Sequence, residues 1–139
     1  QYDKDRDRGL TSVEEAVRFV EQTDVDCLAV AIGTAHGPYV GNPKLDFERL
    51  LALRKEVNVP LVLHGGSSTG DENLKKAVDL GISKVNIATD LLMAGVKRIR
   101  ELFVKEENPN YLKIIENGSN GYQEMLAHYI QLFNSNNRI

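Results

Sequence analysis

The sequence has a single cysteine, no tryptophan, no surplus of basic charge and no apolar run of bilayer length. One thiol cannot close an internal disulfide, and the apolar neighbours of Cys27 imply a reduced, buried side chain. No stretch approaches the roughly 20 apolar residues that cross a bilayer, so no membrane partner is expected. A formal net charge of −3 offers no basic face, and no nucleic-acid partner is expected either. The opening residues, Gln1-Tyr-Asp-Lys-Asp-Arg-Asp-Arg8, are too charged for a secretory signal, which makes the cytoplasm the expected compartment. The lack of tryptophan and the two methionines exclude nothing.

What remains is ordinary for a soluble domain. The 139 residues are 42% hydrophobic and 27% charged, enough for one core. Residues 1–10 alternate Asp with Lys or Arg and read as a solvated loop. Residues 11–139 carry the periodic pattern. Ser12 and Glu15 have capping-box spacing, and Val13, Ala16, Val17 and Val20 make one helical stripe. Cys27–Ile32 is continuously apolar and too short for a helix, which favours a strand buried on both faces. The loop from Gly33 to Pro43 is long for a strand-to-helix connection, and such loops are often functional.

Asp46 is the expected N-cap of a second helix whose apolar side holds Phe47, Leu50, Leu51 and Leu53. Pro60 closes it, and Leu61–Leu63 is a second buried strand. Thr69 and Glu72 again have capping-box spacing, Leu74, Ala77 and Val78 face inward, and Gly81 suits a helix C-cap. Ile82–Ala88 is the third strand. A long helix follows, with Leu92, Val96, Ile99 and Phe103 expected on its inner side. After Asn108-Pro109 comes a short helical piece at Tyr111–Ile115, a Gly/Asn/Ser break over Asn117–Gly121, and a last amphipathic helix carrying Tyr122, Met125, Leu126, Tyr129, Ile130 and Phe133.

This alternation implies parallel strands joined by right-handed crossovers. A small open sheet or part of a (β/α)₈ barrel satisfies it. Three strands leave both sheet edges unpaired, and a whole barrel needs roughly 250 residues.

Chemistry gathers at the three strand ends, where α/β proteins place their sites. His36 follows the first strand and His64 ends the second. Imidazole is a common zinc ligand, but a catalytic zinc usually takes three protein ligands. His128 lies on the final helix and reads as a surface or half-buried residue, and Asp90 has no compelling position. The plainer reading is that His36 and His64 hydrogen-bond backbone groups near a pocket. Gly65, Gly66 and Ser67 make a stronger case, since glycine N–H groups approach an anion closely and the following helix adds its positive end. Asn86, Ile87, Ala88 and Thr89 form the matching turn on the next strand, with Thr89 able both to cap its helix and to bind phosphate. Each turn alone is ordinary loop chemistry; two on consecutive strands favour an anion site.

The stretches Ala29-Val-Ala-Ile-Gly-Thr-Ala-His-Gly37, Pro43-Lys-Leu-Asp-Phe47, Pro60-Leu-Val-Leu-His-Gly-Gly-Ser67 and Lys84-Val-Asn-Ile-Ala-Thr-Asp90 strongly resemble the class II, zinc-dependent ketose-bisphosphate aldolases. The closer likeness is to the fructose/tagatose-bisphosphate branch. The resemblance runs from about Thr11 to Phe133 and implies the C-terminal half of a (β/α)₈ TIM barrel, about strands six to eight and the terminal helices. It implies that His36 and His64 are two of three zinc ligands. It makes Gly37, Gly65, Gly66, Ser67, Asn86, Ile87, Ala88 and Thr89 contacts of dihydroxyacetone phosphate, and Asn86 a catalytic contact of the enediolate. A monovalent cation beside the phosphate belongs to the same expectation.

The implied reaction is reversible aldol cleavage of a ketose 1,6-bisphosphate to dihydroxyacetone phosphate and glyceraldehyde 3-phosphate, a step of glycolytic carbohydrate metabolism. Zn²⁺ serves as Lewis acid, and the phosphate cradle orients the reactants. The intact protein is expected to be a homodimer or homotetramer. The family's N-terminal half supplies the third histidine, an adjacent catalytic aspartate and an acidic residue on a mobile loop. None has a counterpart here, so the chain alone is expected to be inactive. Two other readings stay open: a metal-independent phosphate-binding barrel lyase or isomerase, and a non-catalytic half-barrel that binds sugar phosphate or stabilises another chain.

Overall fold

A computed structural model of the chain describes residues 9–34 and 43–137. The chain divides after Asn86 into two compact units. The first holds α1 (Val13–Thr23), β1 (Leu28–Ala29), α2 (Phe47–Glu56), β2 (Leu61–Leu63), α3 (Asp71–Asp79) and β3 (Ile82–Val85). The second holds α4 (Thr89–Lys105) and α5 (Tyr111–Leu132). Both strand pairings are parallel, in the order β1-β2-β3. The alternation read from the sequence is therefore correct.

Local chemistry explains where the helices of the first unit begin. Ser12 caps α1, its hydroxyl oxygen accepting from the Glu15 N–H at 3.2 Å. Asp46 caps α2 through the Arg49 N–H at 2.9 Å, and its second oxygen takes the Arg49 guanidinium at 3.1 Å. Ala16, Val20, Leu50, Leu53, Leu74 and Ala77 then turn inward and are buried, as are Leu61, Val62 and Leu63 of β2. Leu51 does not join them; Leu50 and Leu53 already fill that side of α2, and Leu51 faces out. α3 ends as expected, with Gly81 at φ +113° just past Leu80, where an added Cβ would lie 2.7 Å from Arg54 Cδ.

The first strand is shorter and less enclosed than its composition implies. Only Leu28 and Ala29 are laddered, although Val30 and Ile32 are buried beyond them. Val30 still donates to Val62 O at 3.1 Å, while on the opposite edge Thr11 takes both Ala31 backbone groups: the Thr11 N–H donates to Ala31 O at 2.9 Å, and the Ala31 N–H donates to Thr11 Oγ1 at 2.8 Å. Cys27 is exposed, so the expected buried thiol is not found. The third strand also stops early, at Val85, with Ser83 and Lys84 exposed.

The second unit departs further. Tyr111–Leu132 is one continuous helix, started by Asn110 Oδ1 accepting from the Lys113 N–H at 3.0 Å, and no break falls at Asn117–Gly121. The glycines there make room for α4. A Cβ on Gly121 would sit 2.4 Å from Ala94 O, and one on Gly95 would sit 2.9 Å from Gly118 O. Packing overrides the low helix propensity of glycine. The inner side of α4 is also rotated from its expected place. Leu91 and Gly95 are buried, whereas Leu92, Val96 and Phe103 are exposed. On α5, Tyr129 is buried while Tyr122, Leu126 and Ile130 are exposed.

Candidate functional site at the ends of two parallel strands

In the first unit the three ladder partners of β2 and β3 run Leu61 with Ile82, Val62 with Lys84, and Leu63 with Val85. Continued by one residue, that register sets His64 beside Asn86, and parallel partners share a sheet face. The side chains do meet. Asn86 Nδ2 lies 3.3 Å from both His64 Nδ1 and His64 Nε2, equidistant rather than in line with one lone pair. Lys84 Nζ donates to Asn86 Oδ1 from the other side. His64 is exposed, so its imidazole can be approached from outside.

Asn86 is also held through its backbone. Its N–H donates to Leu63 O at 2.9 Å, and its carbonyl accepts from the Gly66 N–H at 3.0 Å. The Gly66 amide, expected to face an anion, instead ties the glycine turn to the third strand. This link had no signal in the sequence, because it depends on which strand lies alongside.

The turn itself is closely determined. Gly65 has φ +68°, a region that favours glycine, and Ser68 stands at φ +61°, at a cost on the order of 1 kcal/mol. Thr69 secures the turn from beneath: its hydroxyl donates to Gly65 O at 2.9 Å, and its N–H donates to Gly66 O at 3.2 Å. Thr69 is therefore not the cap of α3. That position belongs to Gly70, and no side chain caps the helix. Asn73 Nδ2 reaches back to Thr69 O at 3.0 Å and to Pro43 O at 3.3 Å, holding the turn to the chain that leads into α2. Gly65, Gly66 and Ser67 are all buried in this arrangement.

The other expected site residues fall elsewhere. His36 and Gly37 lie outside the described residues. Ile87, Ala88 and Thr89 open the second unit. Ala88 is the N-cap of α4 and Thr89 its first residue; no side chain makes a capping bond, so the expected Thr89 cap is not formed. Asp90 accepts a hydrogen bond from the Tyr129 hydroxyl at 2.6 Å. His128 is exposed on α5, as expected, edge-on to Tyr129 with ring centroids 5.3 Å apart. A groove of about 810 Å³ runs along α4 and α5 past Asp90, Lys97, Glu124 and His128. There Arg98 pairs with Glu124, whose hydrogen bond, and then its charge, raise the guanidinium pKa.

The donor set bears on a metal. Among the described residues no three His, Cys, Asp or Glu side chains converge. Among the described residues His64 supplies one imidazole of the three ligands that a catalytic zinc takes.

The sequence pattern described as class II fructose-bisphosphate aldolase matches residues 2–138. The chain belongs to the class II fructose-bisphosphate aldolase family. Among solved structures it is similar to the YdjI aldolase from Escherichia coli K12, with 38% identity and a TM-score of 0.84 over 93% of this chain and 47% of that one. A putative fructose-1,6-biphosphate aldolase from Coccidioides immitis is 31% identical, with a TM-score of 0.82 over 93% of this chain and 45% of that one. Fructose-bisphosphate aldolase (Fba) from Campylobacter jejuni, 23% identical with a TM-score of 0.75 over 91% and 45% of the two chains, shares the fold. The chain thus spans about half the length of these aldolases.

Proposed function

We propose that this chain is the C-terminal half of a (β/α)₈ barrel, contributing about strands six to eight and the terminal helices to a class II aldolase. In this reading the intact protein is a carbon–carbon lyase, a cytoplasmic homodimer or homotetramer that cleaves a ketose 1,6-bisphosphate reversibly. The observation that carries the reading is the clustering of His64, Asn86 and the Gly65–Ser67 turn at the ends of adjacent parallel strands. Family membership gives that cluster its chemistry.

The roles follow from donor types. Gly65 and Ser67 bind the phosphate of dihydroxyacetone phosphate, helped by the N-terminal end of α3, while Gly66, whose N–H is given to Asn86 O, enters as a contact on the resemblance alone. The Asn86 amide donates to oxygens on which negative charge develops when the C3 proton leaves. Gly37, Ile87, Ala88, Thr89 and a monovalent cation beside the phosphate enter on the resemblance alone. His36 and His64 are assigned as two zinc ligands on the same ground. Bound zinc would supply Lewis-acid chemistry, with its third ligand and the catalytic aspartate coming from the other half of the barrel.

The test is a titration of the 139-residue chain with dihydroxyacetone phosphate and Zn²⁺, followed by an assay with fructose and tagatose bisphosphates. Weak binding without cleavage is expected. Robust turnover by this chain alone would overturn the half-site assignment. Tight phosphate binding unaffected by a chelator would favour a metal-independent or non-catalytic half-barrel.

A further inference from the structure

We infer that Lys84 is a positioning residue that fixes which way the Asn86 amide faces. Strand periodicity places Lys84 and Asn86, two residues apart, on one face of β3 and its extension. Lys84 Nζ donates to Asn86 Oδ1, while Asn86 Nδ2 lies 3.3 Å from each His64 ring nitrogen. Lys84, Asn86 and His64 therefore form a relay across two strands, with the amide in the middle.

The chemistry of the end groups makes this relay directional. A primary amide has an acceptor oxygen and two N–H donors, and rotation by 180° exchanges them. An ammonium group has only donors. With Lys84 on one side, the amide oxygen is held toward β3 and the NH₂ is turned toward His64 and the strand ends. The flipped amide would set its NH₂ against the Lys84 ammonium, donor against donor, and present an acceptor where His64 lies. The backbone clamp on Asn86, from Leu63 O and the Gly66 N–H, fixes the position of Cα but leaves the outer amide torsion undetermined. The broad two-fold torsion of asparagine does not choose between the two states unaided. Lys84 makes the choice.

The consequence rests on the aldolase reading above. An oxygen gaining negative charge beside His64 needs a donor from Asn86, so the NH₂-outward state is the binding-competent one. If only part of the population held that state, affinity would fall by that fraction. Lys84 acts on substrate through Asn86 rather than by contact.

The experiment compares the 139-residue chain with its Lys84→Met, Lys84→Arg, Asn86→Ala and Lys84→Met/Asn86→Ala variants, by NMR of side-chain carboxamides and by dihydroxyacetone phosphate titration. Lys84 is exposed, so Lys84→Met should keep the fold, checked by circular dichroism. Lys84→Met is expected to shift the Asn86 NH₂ resonances and weaken binding about tenfold, the order of one lost hydrogen bond. Lys84→Arg should restore both, and the double variant should bind no more weakly than Asn86→Ala. Additive losses would show that Lys84 acts directly through its charge and would overturn the inference. Unchanged Asn86 resonances in Lys84→Met would overturn it too. If the parent chain fails to bind dihydroxyacetone phosphate, the functional reading fails separately, and the carboxamide resonances still decide the role of Lys84.

Discussion

At the scale of single residues, Thr69 shows how one side chain can hold a site it does not line. Its hydroxyl satisfies Gly65 O in a setting where Thr69 is only 2% exposed. Thr69→Val keeps the shape and leaves that carbonyl a partner short, so it should cost about 1–2 kcal/mol, read as a lower urea midpoint with an unchanged m-value. Asp46→Ala should cost about 1 kcal/mol by removing the α2 cap, measured in the same way. The two residues were not equally legible. The role of Asp46 is local, since a carboxylate before an apolar helical stripe has the Arg49 N–H within reach. Thr69 has the spacing of a cap, yet its hydroxyl turns back to a carbonyl four residues earlier, because Gly65 bends the chain into range. His64 and Asn86 stood out as residue types, but their meeting depends on strand register, which a one-dimensional pattern does not contain.

At the scale of elements, the α4–α5 pair separates close packing from surface charge. Gly121→Ala gains helix propensity of about 1 kcal/mol, but its methyl would lie 2.4 Å from Ala94 O. The backbone of α4 cannot step aside cheaply, so the net effect should be a loss of about 1–3 kcal/mol in the second unit, visible as accelerated amide exchange along α4 and α5. Glu124→Gln removes the charge from the Arg98 pair, whose side chains are 42% and 58% exposed, and should leave the urea midpoint nearly unchanged. A larger loss from Glu124→Gln than from Gly121→Ala would reverse this ranking of packing over charge. The same glycines explain why the helix at Tyr111–Leu132 was hidden from periodicity. Glycine and asparagine in a row read as a break wherever the facing helix is unknown. The strands differ less: their apolar runs lie where periodicity puts them, but the regular pairing covers only Leu28–Ala29 and Ile82–Val85.

At the scale of the whole molecule, the order of elements makes the α/β class readable, and the motif residues make the family readable, from the sequence alone. The rest of a barrel was not readable from a chain spanning about half the length of its solved relatives. The central claim is that the strand-end cluster of the first unit binds sugar phosphate, and it can be tested without the other half. The most direct measurement is a residue-resolved ¹H–¹⁵N titration of the chain with dihydroxyacetone phosphate. The account predicts saturable shifts concentrated at Gly65, Gly66, Ser67 and Asn86, lost in Asn86→Ala and in a Ser67→Ala variant. Shifts confined to the charged groove of α4 and α5, or no saturable shifts at the glycine turn, would contradict it.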